Sequence, residues 1–534
     1  MSVNRAAKPS GAEDGFTMIM TVIGLSLAVL LVAVAVAAVN GDAHQSAGDL
    51  NRKQAYEAAK AGIDEYAYHL HNDTAYWSKC TNVGTPTAVN QMGSTANRRP
   101  VPGNTGATYA IELIPATGHG SCDPTNVATA TASMLEPMGS MKGTFRVRST
   151  GFKGKESVTL TATFKPASFL DYVYFTQLET SDPVTYGNET TIKGAYEQCS
   201  KTMQAGRYTN TIPNSGGKYC DVISFVKGDN VKGPMHTNDY FAICETPTFG
   251  RNASDPIEVS SPSPGWYSTK DVPHSGSNCT GNPNFAGTFR TNSPVLVPPS
   301  TNSQLATIAE PSFRFKGQVH ICLNGSTMTV ASSGSNCETG VLYSGAFPSN
   351  GVVYVENIAC NGAYSPFETT YPATSECGNV YVHGTYSGQL TIAAGNDIIV
   401  DRSLTHSGEE SILGLIANNF IRVYHPFENV VVNVLTGQTE CRNAAGSVEN
   451  IAIDAAILAI NHSFIVDNYR CGKQLGTLTV KGAIAQNYRG AVGTSGGTGY
   501  LKNYEYDERL HTIEPPSFIE PVQADWVIGR ETVD

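Results

Sequence analysis

The 534-residue sequence carries little charge. Its 35 Lys and Arg and 46 Asp and Glu make up 15% of the chain, against about 25% in an ordinary globular domain. It has no long Lys/Arg run and a net charge of −11, which argues against nucleic-acid binding as its primary task. C-x-x-C and H-x-x-x-H pairs are missing, which removes the usual zinc spacings and leaves no metal to expect. Nucleophile elbow, phosphate loop, zincin helix and DxDxDG calcium loop are absent too, so neither an enzyme nor a cofactor is expected. Hydrophobic residues, at 40%, are too many for a disordered chain. What is plentiful is Gly (52), Pro (28) and Tyr (25), the composition of a β-rich exported protein with many turns. The length fits three or four domains.

One charge-free run stands out. Phe16 to Val39 reads FTMIMTVIGLSLAVLLVAVAVAAV, long enough as a helix, roughly 36 Å, to span a bilayer. Arg5 and Lys8 precede it, predicting a cytoplasmic N-terminus although Glu13 and Asp14 dilute the leader's charge. A secretory signal peptide competes, with Ala33-Val34-Ala35 and Ala35-Val36-Ala37 as cleavage sites, but the run is too long for one. The next stretch, LNRKQAYEAAKAGIDEYAYHL (50–70), places Ala55, Ala58, Ala59, Gly62, Ile63, Tyr66 and Leu70 on one helical stripe, with Arg52, Lys53, Glu57, Lys60 and Asp64 opposite. No Pro interrupts 16–77, so one helix of about 60 residues is expected.

Gly15-Phe16-Thr17 followed by such a helix resembles the class III leader of type IV pilins and type II secretion pseudopilins. The stretch Arg52 to Ile63 is similar to the "AAxAG" helix of PilX-type minor pilins. The resemblance covers about the first 75 residues. It implies cleavage between Gly15 and Phe16 by a prepilin peptidase, methylation of Phe16, residence in the cell membrane before assembly, and packing against other pilins in a filament. Major pilins carry Glu at the fifth mature position, where this chain has Met20. A carboxylate there is thought to pair with a neighbour's N-terminal amine, so Met20 implies a subunit that starts or caps the filament.

Beyond the helix, Tyr109–Leu113, Thr144–Ser149 and Ser157–Phe164 alternate as strands around Gly151 and Gly154, with Val147 facing a residue near Leu160. From about 220 onward, runs of three to five apolar residues recur between Gly, Asn and Asp: Val352–Val355, Val380–Val382, Ile398–Val400, Phe420–Val423, Phe464–Val466 and others. They are too closely spaced for crossover helices, which suits a β-solenoid, although the period drifts and an antiparallel sandwich competes. Phrases such as Gly233–Asp239, Leu413–Asn419, Gly482–Gly490 and Gly499–Asp507 resemble a module of large PilX-like surface proteins.

The expected fold class is thus mainly β with a long N-terminal transmembrane, pilin-type α-helix, a small antiparallel sheet and a single-stranded β-helix-like domain. The expected segments are a leader (1–15), the helix (16–77, transmembrane over 16–39), the antiparallel sheet (78–170), the solenoid (171–500) and a tail packed on it (501–534). The expected location is the inner membrane, single-pass with its N-terminus inside, and then the pilus at the cell surface.

All twelve cysteines follow the apolar run, an even number suited to an oxidising compartment. Sequence does not fix their connectivity. Pairing sequence neighbours gives Cys80–Cys122, Cys199–Cys220, Cys244–Cys279, Cys322–Cys337, Cys360–Cys377 and Cys441–Cys471, the default for loops tethered to a solenoid.

The densest polar cluster is NDIIVDRSLTH (396–406). Asp397, Asp401, Arg402 and His406 have the residue types of solenoid polysaccharidases. On one strand, however, Asp397 and Asp401 stand about 13 Å apart, which favours turn residues between coils. His236 is read the same way, as a turn-fixing residue. The function expected is a non-enzymatic minor pilin or pseudopilin whose β domain contacts a surface glycan or host-surface ligand. Tyr500, Tyr504 and Tyr506 are candidate contacts, although packing explains them equally. The alternatives are a membrane-anchored, carbohydrate-active β-helix protein and a DNA-capturing tip, the latter weakened by the acidic balance and the lone Arg98-Arg99 pair.

Overall fold

The computed structural model describes residues 14–73, 75–80, 98–103, 106–125, 132–136, 143–334, 336–360, 364, 375–433, 438–494, 496–522 and 526–533. The leader before residue 14 lies outside them. The chain divides into two compact units, one of residues 1–165 with 526–534, the other of residues 166–525.

In the first unit a helix runs Asp14–Asn72. Its later half lies on a sheet ordered Arg99–Pro100, Thr108–Ile114, Phe145–Lys153, Glu156–Pro166 and Trp526–Val533. The first four of these strands pair antiparallel. The small-residue stripe makes the close approach possible, and Ala55, Ala58, Ala59, Ile63, Tyr66 and Leu70 are buried. Gly151 is where helix and strand come closest: a Cβ there would meet the Ala55 carbonyl oxygen at 1.9 Å and the Ala59 nitrogen at 2.4 Å. Tyr66, Trp77, Phe145, Phe164 and Trp526 close the core with edge-on and stacked ring contacts. Val147 faces Ala162 across the hairpin, two residues beyond Leu160.

The fold class and the location require correction. Among the described residues, no helix is long and apolar enough to cross a membrane. The transmembrane helix therefore falls, and with it a single-pass inner-membrane protein later carried to the cell surface. The chain is mainly β, and its sheets are open rather than closed.

The second unit is a stack of parallel coils. One ladder runs through Val353, Ile392, Leu415, Ile457, Ile484, Tyr174, Met235, Ile257 and Phe289, each paired with the next in a neighbouring coil. The first eight are buried, as expected for strands covered on both faces. The order of this ladder is not the order of the chain. Strand Tyr174–Leu178, the first of the unit, sits in the middle of the stack beside Thr477–Tyr488. From there the coils wind outward through Met235–Thr237 and Pro256–Val259 to Thr288–Arg290. Residues 294–313 then lead back across the stack. Asn302 is fully buried on the way, donating to the carbonyls of Ala394 (2.8 Å) and Ile416 (3.0 Å). Winding resumes at Arg314–Lys316 and returns inward. The coil that closes the gap is composite: Leu501–Tyr506 pairs with Thr477–Tyr488 on one side and with Asn230–Lys232 on the other.

The boundaries therefore differ from the expected segments. The solenoid unit begins at Pro166, Leu501–Tyr506 is one of its strands, and Trp526–Val533 belongs to the first unit's sheet. Each cysteine pairs with its sequence neighbour: 80–122, 199–220, 244–279, 322–337, 360–377 and 441–471.

Candidate functional site

Three successive coils turn one corner of the solenoid with related phrases: Asn396-Asp397-Ile398-Ile399-Val400, Asn419-Phe420-Ile421-Arg422-Val423 and His462-Ser463-Phe464-Ile465-Val466. Their register is set by Ile398 on Ile421 and Ile421 on Phe464. At the first position the amides form a ladder. Asn396 Nδ2 donates to Asn379 Oδ1 at 2.7 Å, and Asn419 Nδ2 donates to Asn396 Oδ1 at 2.7 Å. Each rung supplies a bond that a buried corner otherwise lacks.

His462 stands at the next rung, where the ladder ends. Its Nδ1 lies 3.1 Å from both Asp182 oxygens, and Ser463 Oγ donates to the same carboxylate at 3.0 Å. Its ring stacks on Phe420 at 4.2 Å, and its Nε2 has no hydrogen bond among the described residues. Burial acts to lower the His462 pKa, but the Asp182 carboxylate outweighs it, and the imidazole titrates above its ordinary value.

Beneath the corner, Asp397 accepts from the Phe420 N–H at 3.1 Å and from Arg422 Nη1 at 3.2 Å. Arg422 also grips both oxygens of Asp467, at 3.0 and 3.1 Å, in the forked geometry that suits a guanidinium. Tyr364 Oη donates to Asp467 at 2.5 Å, and its ring lies 4.0 Å from the Arg422 guanidinium. Burial raises the Asp397 pKa, with Arg422 pulling the other way. Arg422 itself stays charged, the two carboxylates and Tyr364 outweighing the effect of its burial.

Helix Glu189–Cys199 walls the corner. It begins at Asn188, whose side chain accepts from the Thr191 N–H at 3.1 Å, and it is stapled at its end by Cys199–Cys220. Glu189, Lys193 and Tyr196, spaced by four and three residues, fall on one helical face. With Val184, Ile192, Tyr364, Asn396, Asp397, Asn419, Phe420 and His462 they enclose a cleft of about 380 Å³. This arrangement can hold a small ligand between aromatic rings and fixed polar groups. A second cleft of about 410 Å³ holds Tyr219 stacked on His274 at 3.9 Å and the Asp221–Arg470 pair at 3.7 Å, whose side chains are about half exposed.

The polar cluster of residues 396–406 is dispersed by the fold. Of its members only Asn396 and Asp397 reach the cleft. Asp401 pairs with His383 at 2.8 Å, Arg402 reaches Asn336 and His383, and His406 pairs with Asp454 at 2.8 Å. His236 is buried, bonded to Asn238 (3.1 Å) and facing Glu258. Tyr500, Tyr504 and Tyr506 are buried and form no surface patch, with the Tyr500 and Tyr506 hydroxyls bonded to backbone carbonyls. Arg98 stacks on Phe152 at 3.5 Å and Arg99 bonds Glu65. Gly15 and Phe16 lie on the first helix, with side chains outside the described ones. Met20 is 55% exposed.

The sequence reading missed Asp182, Tyr196, Arg422, His462 and Asp467. The signal that could have found Arg422 and His462 is the recurring corner phrase, because it contains both and aligns His462 with two asparagines. Asp182 lies 280 positions from His462, and no local pattern joins them. Among the described residues no group of three or more His, Cys, Asp or Glu is arranged to hold a metal.

No protein-family model matches the sequence, and no curated protein matches it. Among solved structures the chain is similar to the competence-associated pilin ComZ from Thermus thermophilus. The match is 12% identical, covers 90% of this chain and 96% of that one, and has a TM-score of 0.25. A score of 0.25 assigns no fold.

Proposed function

We propose that this chain is a non-enzymatic subunit of a pilus-like filament, with the solenoid as its ligand-presenting part. One observation carries the proposal. The first helix is clamped to its sheet from Ala55 to Leu70, while Met20, Val22, Ile23, Leu25, Leu27, Val29, Leu30, Leu31, Val32 and Val34 are each 49–67% exposed. A helix that is apolar on every side is stable only when covered, and an exposed apolar surface of this extent marks an interaction site. Helices of neighbouring subunits supply that cover in a filament core. The finer reading follows from the leader's resemblance: a prepilin peptidase cuts between Gly15 and Phe16, Phe16 is methylated, and Met20 suits a terminal subunit needing no carboxylate–amine pair above it.

The test is shearing filaments from cells and probing them for this chain. A chain that co-purifies with an N-terminus at methyl-Phe16, and that is lost from filaments when Leu27 and Leu30 are changed to Lys, supports the proposal. A chain that starts near Asn40, or never co-sediments with filaments, refutes it.

A further inference from the structure

The corner cleft has a composition that selects among ligand classes. The Arg422 guanidinium already occupies a face of Tyr364, and His462 already covers Phe420, so a quaternary or primary ammonium finds no free aromatic cage. The fixed charges also leave no cationic surplus for a phosphate or sulfate. Arg422 is shared between Asp397 and Asp467, His462 is paired with Asp182, and Lys193 lines the cleft together with the acidic Glu189 four residues earlier. What remains is Tyr196, an aromatic ring 37% exposed at the rim, with polar groups of both senses close by. His462 Nε2 makes no bond among the described residues, and Asn419 heads the amide ladder. Asp397 is held by two donors yet keeps lone pairs for a third. A flat ring with an apolar face and hydroxyls on its edge answers that combination, because each hydroxyl donates once and accepts twice.

We propose that this cleft binds a neutral pyranose sugar, its ring against Tyr196 and its hydroxyls bonded to His462 Nε2, Asn419 and Asp397. The site names the ligand class of the solenoid and so rests on reading that unit as ligand-presenting, but it does not require the filament. His462 is the specificity element: it replaces the amide of the two preceding rungs and brings to the cleft lining an imidazole whose Nε2 makes no ladder bond among the described residues. The wall is the stapled helix Glu189–Cys199, so the platform ring is fixed before the ligand arrives.

The experiment uses the purified full-length chain. Saturation-transfer NMR and calorimetry are run with glucose, galactose, mannose, N-acetylglucosamine, N-acetylgalactosamine and their disaccharides. Inorganic phosphate and tetramethylammonium serve as the anionic and cationic probes. Saturable binding of at least one neutral sugar is expected, weakened about tenfold by Tyr196→Ala, which keeps the wild-type circular dichroism and melting temperature, and severalfold by His462→Asn, which keeps the wild-type circular dichroism. Tyr219→Ala, in the second cleft, should leave the affinity unchanged. Three results overturn the proposal: no sugar binds, binding survives both cleft substitutions, or only phosphate or tetramethylammonium binds. Shearing and co-purification of the His462→Asn variant is scored separately, so a failed sugar site and a failed filament assignment give different results.

Discussion

Replacing Arg422 with Met isolates the electrostatics of the corner. The guanidinium is buried and serves two carboxylates, Asp397 at 3.2 Å and Asp467 at 3.0 and 3.1 Å, both almost fully buried. Met fills similar volume but leaves two acids without a counter-charge. Removing one partner of a buried pair costs about 3–5 kcal/mol, so about 4 kcal/mol is a conservative expectation here. The unit of residues 166–525 has 360 residues. At about 2.1 cal/mol/K per residue its unfolding entropy is about 0.76 kcal/mol/K, which converts that loss to about 5 °C in melting temperature. Differential scanning calorimetry of the full chain reads the shift. The pH dependence gives a second readout. Burial already raises Asp397, and without Arg422 it rises further. A folded state that holds protons more tightly than the unfolded chain gains stability as pH falls. The deficit should therefore be full above the folded pKa and shrink toward the ordinary Asp value of about 3.9. Adding Asp397→Asn and Asp467→Asn to Arg422→Met removes the orphaned charges and should recover most of the 5 °C. A shift below about 1 °C for the single variant, or no recovery in the triple one, would refute the assignment of these three groups as one ion-paired unit.

Other outcomes follow from the same geometry. Gly151→Ala drives a Cβ into the backbone of Ala55 and Ala59, and should destabilise the first unit by about 3 kcal/mol, read as a lower urea midpoint. Changing Cys199 and Cys220 to Ala opens a 21-residue separation and should cost about 3 kcal/mol in the chain-entropy account, with faster amide exchange in helix Glu189–Cys199. The His462–Asp182 pair is flanked by Asp397, Glu189, Lys193 and Tyr196, and His462 titrates above its ordinary value. Its contribution should be complete below about pH 6.5 and fade as pH rises through the folded pKa; His462→Asn should remove that part of the stability-versus-pH slope. Glu179→Gln should destabilise the unit by leaving the buried Arg489 cation without its 3.0 Å partner, and a melting temperature unchanged from wild type would contradict that role.

Sequence patterns reveal what is local. The Ala/Gly stripe is legible because helical periodicity puts Ala55, Ala59, Ile63 and Tyr66 on one face, and the sheet buries that face. The hairpin around Gly154 is legible from strict alternation, and neighbouring cysteines of the second unit join because each pair closes an excursion from a stack of short coils. The transmembrane reading came from apolar length alone. Among the described residues no helix is long and apolar enough to cross a membrane. The winding order is invisible for a different reason: Glu179 meets Arg489 across 310 positions, a contact that no window of sequence contains. The cleft stayed hidden likewise, since Asp182, Tyr196, Arg422 and His462 converge only after the coils stack. The cluster of residues 396–406, conspicuous as text, dissolves because each member finds a partner on an adjacent turn.

The mid-stack start of the solenoid sets a schedule for its synthesis. Tyr174–Leu178 leaves the ribosome early and gains Met235–Thr237 on one flank soon afterwards. Its other flank stays bare until Thr477–Tyr488 has been made some three hundred residues later. During that interval an unpaired strand edge is open to strangers, and a chaperone or fast compaction must guard it. Shortening the chain at its C-terminal end before residue 477 would therefore not fray an extremity. It would cleave the stack at its waist.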